Sequence, residues 1–128
     1  MIYLAAPYSD SDPSVREQRF DAVCRAVAAL KRSGIAVFAP IIHGRPLVAH
    51  GLPTDWSCWE SFDREFLAGC DELVVLMLDG WRNSRGVREE IRMAGDLGKA
   101  VRFLDPADAT GNATSSPTLA RVAKEAEG

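Results

Sequence analysis

Apolar positions along the chain alternate between short continuous runs and longer stretches with helical spacing. Ile2-Tyr3-Leu4-Ala5 is a brief apolar run closed by Pro7 and reads as a strand. Ser11, Asp12 and Pro13 form a cap with proline in the first turn, and Ser14-Val15-Arg16-Glu17 matches a capping box. The helix they open should run to about Ser33: Phe20, Val23, Val27 and Leu30 recur at helical spacing, and Gly34 stops it. Ile35 to Phe38 is a second strand, ended by Pro40. The Gly- and Pro-bearing stretch from Ile42 to Pro53 predicts a long loop carrying His43.

Thr54 is expected to cap a second helix, about Asp55 to Gly69, with Trp59, Phe62, Phe66 and Cys70 as its apolar stripe. Leu73 to Leu78 is a continuous apolar strand of the kind buried on both faces of a parallel sheet. Asp79-Gly80 is a turn, a third helix runs from about Ser84 to Leu97 before Gly98, and Val101 to Leu104 is the last strand. This gives one α/β domain over 1–106. Residues 107–128 read as a flexible tail, with a short helix over Thr118 to Glu127. The alternation implies a flavodoxin/Rossmann-like open parallel sheet, order 2-1-3-4, with helices on both faces. Such sheets bind ligands outside the carboxyl ends of their strands, which points to the segments after Ala5, Phe38 and Leu78.

Composition narrows the function classes. With 15 basic and 18 acidic residues the net charge is −3, which argues against a nucleic-acid polymer as partner. No run approaches the ~18 apolar residues of a membrane span. Met1 to Ala6 lacks a basic n-region and reads as a strand rather than a signal peptide. Cys24, Cys58 and Cys70 are odd in number and far apart, as expected of reduced residues in a cytoplasmic protein. His43 and His50 lack a partner at ligand spacing, so no metal is expected.

Helical geometry singles out two carboxylates. At about 100° per residue, with Val87 as zero, Glu90 falls about −60°, inside the arc of Ile91, Ala94 and Leu97, and Glu89 falls at about 200°, toward water. With Trp59 as zero, Asp63 sits at about +40°, between Cys70 and Trp56, while Glu60, Arg64 and Glu65 lie on the other side. A carboxylate among apolar side chains is costly unless it is hydrogen-bonded or used. One such residue is commonly a cap or an ion-pair partner; two on one sheet suggest a paired acid site.

Ile2-Tyr3-Leu4-Ala5-Ala6-Pro7 resembles the opening strand and loop of the nucleoside 2-deoxyribosyltransferases and their relatives, the 2′-deoxynucleoside 5′-monophosphate N-glycosidases. Ser84-x-Gly86-Val87-x-x-Glu90-Ile91-x-x-Ala94 resembles their nucleophile segment, and Cys70-Asp71-Glu72-Leu73-Val74-Val75 the preceding strand. More closely, residues 1–104 resemble a group of short, mostly uncharacterised bacterial and phage proteins placed in that superfamily. The markers are Ala-Pro-Tyr-Ser at 6–9, Pro40-Ile41-Ile42-His43, Asp55-Trp56 and Asp79-Gly80-Trp81. The resemblance implies that Glu90 is the nucleophile, that Tyr3 orients it and that Asp63 contacts the nucleobase. It places Ser84, Gly86, Pro7, Ser9, His43 and Trp81 among substrate-binding residues. Six positions before the nucleophile the transferases carry an aspartate; Ser84 stands there, as in the nucleotide hydrolases, and a hydroxyl at a helix start suits a phosphate where an aspartate would repel it. The hydrolases have a more glycine-rich first loop than Ala5-Ala6-Pro7-Tyr8-Ser9.

The implied chemistry is cleavage of the base–sugar bond of a nucleoside or nucleoside 5′-monophosphate, by hydrolysis or by transfer to a second base. An ionised Glu90, kept so by the helix N-terminus and the Tyr3 hydroxyl, would capture C1′, with Asp63 assisting the leaving base. No cofactor is required. Relatives complete their sites across a dimer interface, so a homodimer or homotetramer is expected, with the aromatic second helix as its surface. The alternative is a non-catalytic nucleotide-binding or sensing module on the same scaffold. A flavin-binding or phosphoacceptor domain fits the sheet alone, but the first loop and the strand ends lack the residues either needs.

Overall fold

The computed structural model describes residues 1–109 and the pair Leu119–Ala120. Strands β1 (Ile2–Ala5), β2 (Val37–Phe38), β3 (Glu72–Leu76) and β4 (Ala100–Leu104) form a parallel sheet in the order β2-β1-β3-β4. Helix α1 (Pro13–Arg32) links β1 to β2, α2 (Pro40–Ala49) and α3 (Trp56–Ala68) link β2 to β3, and α4 (Arg85–Asp96) links β3 to β4. A fifth strand, β5 (Leu119–Ala120), adds antiparallel to β4. Thus the expected terminal helix is interrupted at these two residues by a strand pairing; the rest of that segment lies outside the described residues. The body also extends slightly past 106, because a one-turn helix at Pro106–Asp108 delivers Ala109 into the core.

Alternation along the strands sorts the core into two layers. Ile2, Leu4, Val74, Leu76 and Leu104 face α1, where Val23, Ala26 and Leu30 meet them. Tyr3, Ala5, Leu73, Val75, Val101 and Phe103 face α3 and α4, where Leu67, Val87, Met93 and Ala94 meet them. The chain runs outward to β2, then crosses to β3, so the order reverses between β1 and β3. Their carboxyl ends form the topological switch point of the sheet.

Local signals set most boundaries. Asp12 caps α1, its carboxylate accepting from the Ser14 amide at 2.9 Å, and Pro13 follows where no amide is needed. The Ser14–Glu17 capping box does not form: with Asp12 already in that place, Glu17 pairs with Arg45 of α2 at 2.6 Å. Gly34 and Gly98 end α1 and α4 at φ +84° and +70°, a region that glycine enters without strain. Asp55, not Thr54, is the N-cap residue of α3, and the Ser57 hydroxyl donates to its carboxylate.

The expected loop after β2 is instead helix α2. Pro40 occupies its first turn, and Ile41 and Ile42 pack against the sheet. Gly44 and Pro46, which read as loop residues, sit inside it. Gly44 is buried against the Trp59 ring of α3, where a Cβ would lie 3.5 Å away in ordinary contact. Pro46 forgoes one helical bond on an exposed turn.

Candidate active site

Tyr3 is the second residue of β1, and its parity sends the side chain to the α3/α4 face, where it is fully buried. On α4 the Ser84 hydroxyl oxygen accepts from the Val87 amide at 3.2 Å, a cap that fixes where the helix begins and therefore its phase. Val87, Glu90, Met93 and Ala94 then point inward. Glu90 keeps only 5% of its surface exposed, while its neighbour Glu89 pairs with Arg92 at the surface. Asp63, near the middle of α3, is 7% exposed. Asp63 and Glu90 are the buried charged residues among those described.

The three side chains meet over β1. The Tyr3 hydroxyl donates to Glu90 Oε2 at 2.6 Å, a short hydrogen bond. Asp63 interacts with the same hydroxyl and with Glu90. Burial, with Glu90 and Asp63 beside it, holds the tyrosine far above its ordinary range, so it stays a donor. Burial pushes Asp63 up to about 6, against the Tyr3 hydroxyl, which lowers it. Burial also pushes Glu90 up to about 8; the Tyr3 bond lowers it and the Asp63 charge raises it further. This corrects the expectation that Tyr3 and the helix start keep Glu90 ionised: desolvation outweighs one hydrogen bond. Near neutral pH the two carboxyls therefore hold about one proton between them.

The other expected site residues are placed less directly. Ser84 spends one acceptor site on capping, and a Cβ on Gly86 would lie 3.9 Å from its hydroxyl, an ordinary contact. Pro7 is buried just after β1, and Ser9 is exposed, its carbonyl accepting from Arg19 at 2.9 Å. Trp81 lies in a one-turn helix (Trp81–Asn83), its ring 5.3 Å from Phe103 and covered by the Arg82 guanidinium. His43 belongs to α2 rather than a loop and is exposed, with its ring tilted against Phe38 and Phe66.

Two features escape a reading of the sequence. Phe38 pairs in register with Tyr3, its ring centroid 5.7 Å away, and stacks on Phe66 at 4.1 Å. An aromatic wall thus runs from Tyr3 to the surface at His43. The parity of β2 against β1 is the signal that places Phe38 on this face. The second is a cleft of about 560 Å³ at the switch point, lined by Asp10, Gln18, Arg19, Asp79, Gly80 and Asn83 among others. A smaller one of about 350 Å³ follows 77–83. Neither is lined by Tyr3, Asp63 or Glu90.

The model of a family described as "Domain of unknown function (DUF1937)" matches residues 1–105. The chain belongs to that family. The match spans β1 through β4, so Tyr3, Asp63 and Glu90 all lie within the DUF1937 domain, and the segment from 106 onward lies outside it. A search of curated proteins found no match to the chain. Among the described residues no helix is long and apolar enough to cross a membrane, and no three His, Cys, Asp or Glu side chains gather as a metal-holding group.

Proposed function

We propose that this DUF1937 domain cleaves the base–sugar bond of a nucleoside or nucleoside 5′-monophosphate, with Glu90 as nucleophile. The observation that carries the reading is the buried Tyr3–Glu90 hydrogen bond with Asp63 beside it. A glutamate held by a tyrosine hydroxyl and desolvated on a sheet face is suited to capture an oxocarbenium-like C1′. The Glu90–C1′ ester forms as the C1′–N bond breaks, and the base leaves with a proton from Asp63. Water then attacks C1′, its proton returns to Asp63, and the sugar and free Glu90 are released. Attack by a second base in place of water gives a transferase. Tyr3 holds the carboxylate in line throughout. No metal or redox group has a role in this sequence.

The test is incubation with a panel of nucleosides and 5′-monophosphates, followed by chromatography for free base. The low exposure and high proton affinity of Glu90 favour a second reading, a nucleotide-binding or sensing module without turnover. Calorimetric binding of the same panel without base release would select it.

Proton sharing makes the pH dependence specific. The pair holds its single proton mainly on Glu90, and the productive form is the tautomer with that proton passed to Asp63 and Glu90 ionised, so it carries the same one proton. The pair gains a second proton below about 6 and loses its last above about 8. The expected kcat/KM profile is a bell with limbs near these values, and Asp63→Asn flattens one limb. A rate that rises steadily from pH 5 to pH 9 contradicts this assignment.

Assembly and location complete the proposal. Phe62 is 53% exposed and Phe66 37%, with Leu47 and Leu52 of the neighbouring segment also exposed. The surplus apolar surface expected on α3 is carried by these two residues: Phe66 rests on the edge strand at Phe38, and Phe62 has Trp59 as its aromatic neighbour. This apolar surface supports a homodimer or homotetramer. Light scattering at micromolar concentration should give at least twice the chain mass, and Phe62→Asp should lower it; a strictly monomeric mass counts against assembly. Free Cys24, Cys58 and Cys70 fit a reducing, cytoplasmic setting.

A further inference from the structure

Arg19 projects from α1 into the switch point between the ends of β1 and β3. Its Nη1 donates to the Ser9 carbonyl at 2.9 Å and its Nη2 to the Asp79 carbonyl at 3.0 Å. Ser9 lies in the loop after β1, and Asp79 lies in the loop after β3 that continues through Trp81–Asn83 to the Ser84 cap. One planar guanidinium thus spans two loops that are 70 residues apart in sequence, Ser9 to Asp79. Gly80 makes room for it. At φ +89° its backbone suits glycine, and a Cβ there would come within 2.8 Å of Arg19 Nη2.

We propose that Arg19 is a positioning residue that fixes the loop after β1 against the β3–α4 loop, with Gly80 as its counterpart. The two loops carry Ser9, Trp81 and Ser84, so the clamp sets the rim of the substrate site and leaves the Tyr3–Glu90 pair alone. Arginine is required by geometry: its fork presents two parallel donors in a fixed plane, whereas a lysine ammonium is a single point on a flexible stem. The catalytic consequence rests on the proposed glycosidase reading; the clamp itself does not.

The experiment is hydrogen–deuterium exchange on the full chain, comparing wild type with Arg19→Ala, Arg19→Lys and Gly80→Ala. Arg19→Ala is expected to speed exchange about tenfold in peptides covering both 6–12 and 79–84, while β3 and the centre of α4 stay protected. Lysine restores protection in one loop at most. Gly80→Ala displaces the guanidinium without deleting it, and must loosen the distant 6–12 peptide as well as its own loop. In base-release assays the same variants should raise KM about tenfold with kcat within about threefold. Loosening confined to one loop, or absent from both, overturns the clamp. So does a kcat loss with KM unchanged. If wild type releases no base, the glycosidase reading fails while the exchange pattern still decides the role of Arg19.

Discussion

Replacing Glu90 by alanine should abolish base release, lowering kcat by at least about three powers of ten, as deletion of a covalent nucleophile does. Glu89→Ala should leave the rate within about twofold. The two residues are adjacent in sequence, yet one rotation of about 100° sends Glu90 to Tyr3 and leaves Glu89 with Arg92 at the surface. Alanine at 90 also removes the 2.6 Å acceptor of the Tyr3 hydroxyl and leaves Asp63 as its carboxyl neighbour, at a cost of about 1 kcal/mol for the lost bond. Glu90→Gln separates the two effects, because the amide oxygen still accepts from Tyr3 but forms no ester with the sugar. The glutamine variant should therefore fold and bind substrate with near-normal affinity while releasing no base. Chromatography of the released base, with calorimetry of binding, checks both halves of this expectation.

The wild-type protein should lose stability as pH rises from about 5 to 9, the reverse of ordinary acid denaturation. The sign follows from proton binding. Glu90 is raised from 4.5 to about 8 and Asp63 from 3.8 to about 6, so the folded state holds protons that the unfolded chain has already released. Stability from these groups is fully present below their ordinary range, and is lost as pH passes about 6 and then about 8. At about 1.4 kcal/mol per tenfold change in proton affinity, the two amount to several kcal/mol. Glu90→Gln never ionises, so it should match wild type near pH 5 and exceed it by about 2 kcal/mol or more at pH 9. Urea unfolding at the two pH values measures this directly. A wild type that gains stability toward pH 9 would mean that the carboxyls are held ionised in the folded state. The penalty is one that a site tuned for a desolvated carboxylate incurs, as activity and stability commonly oppose each other.

The main lines of fold and candidate site are legible in the sequence where periodicity meets a strong local signal. Glu90 follows from the phase of a helix that Ser84 and Gly98 bracket closely, whereas Tyr3 is singled out by the resemblance of residues 2–7, and its parity in β1 accounts for the face it takes. The four-strand order follows from the rules of parallel connections. Helix α2 was not legible, because Gly44 and Pro46 are breakers by propensity, and the packing of Ile41 and Ile42 on the core, which favours the helix, is a tertiary property. The surplus of aromatic surface on α3 is legible, but which side chains carry it is not: a wheel sorts residues by angle and cannot tell that the edge strand beneath α3, β2, spans just Val37–Phe38. Charge state was the third gap. The helical wheels turn two acids toward the sheet and the resemblance adds a tyrosine, but the balance between desolvation and one hydrogen bond is a property of the packed interior. Arg19 carries no sequence signal at all, since both its partners are backbone carbonyls.

The central claim is that Glu90 becomes covalently bonded to the sugar. Its most direct test uses 2′-deoxy-2′-fluoroarabino nucleosides and their 5′-monophosphates, whose fluorine slows hydrolysis of a glycosyl ester by destabilising the cationic transition state. Intact-mass spectrometry should show a stoichiometric increment equal to the fluorosugar, with or without phosphate, and peptide mapping should place it on Glu90. The Glu90→Gln protein should take up none. Base release from natural substrates by a protein that labels elsewhere, or no base release from any of the panel, contradicts the account.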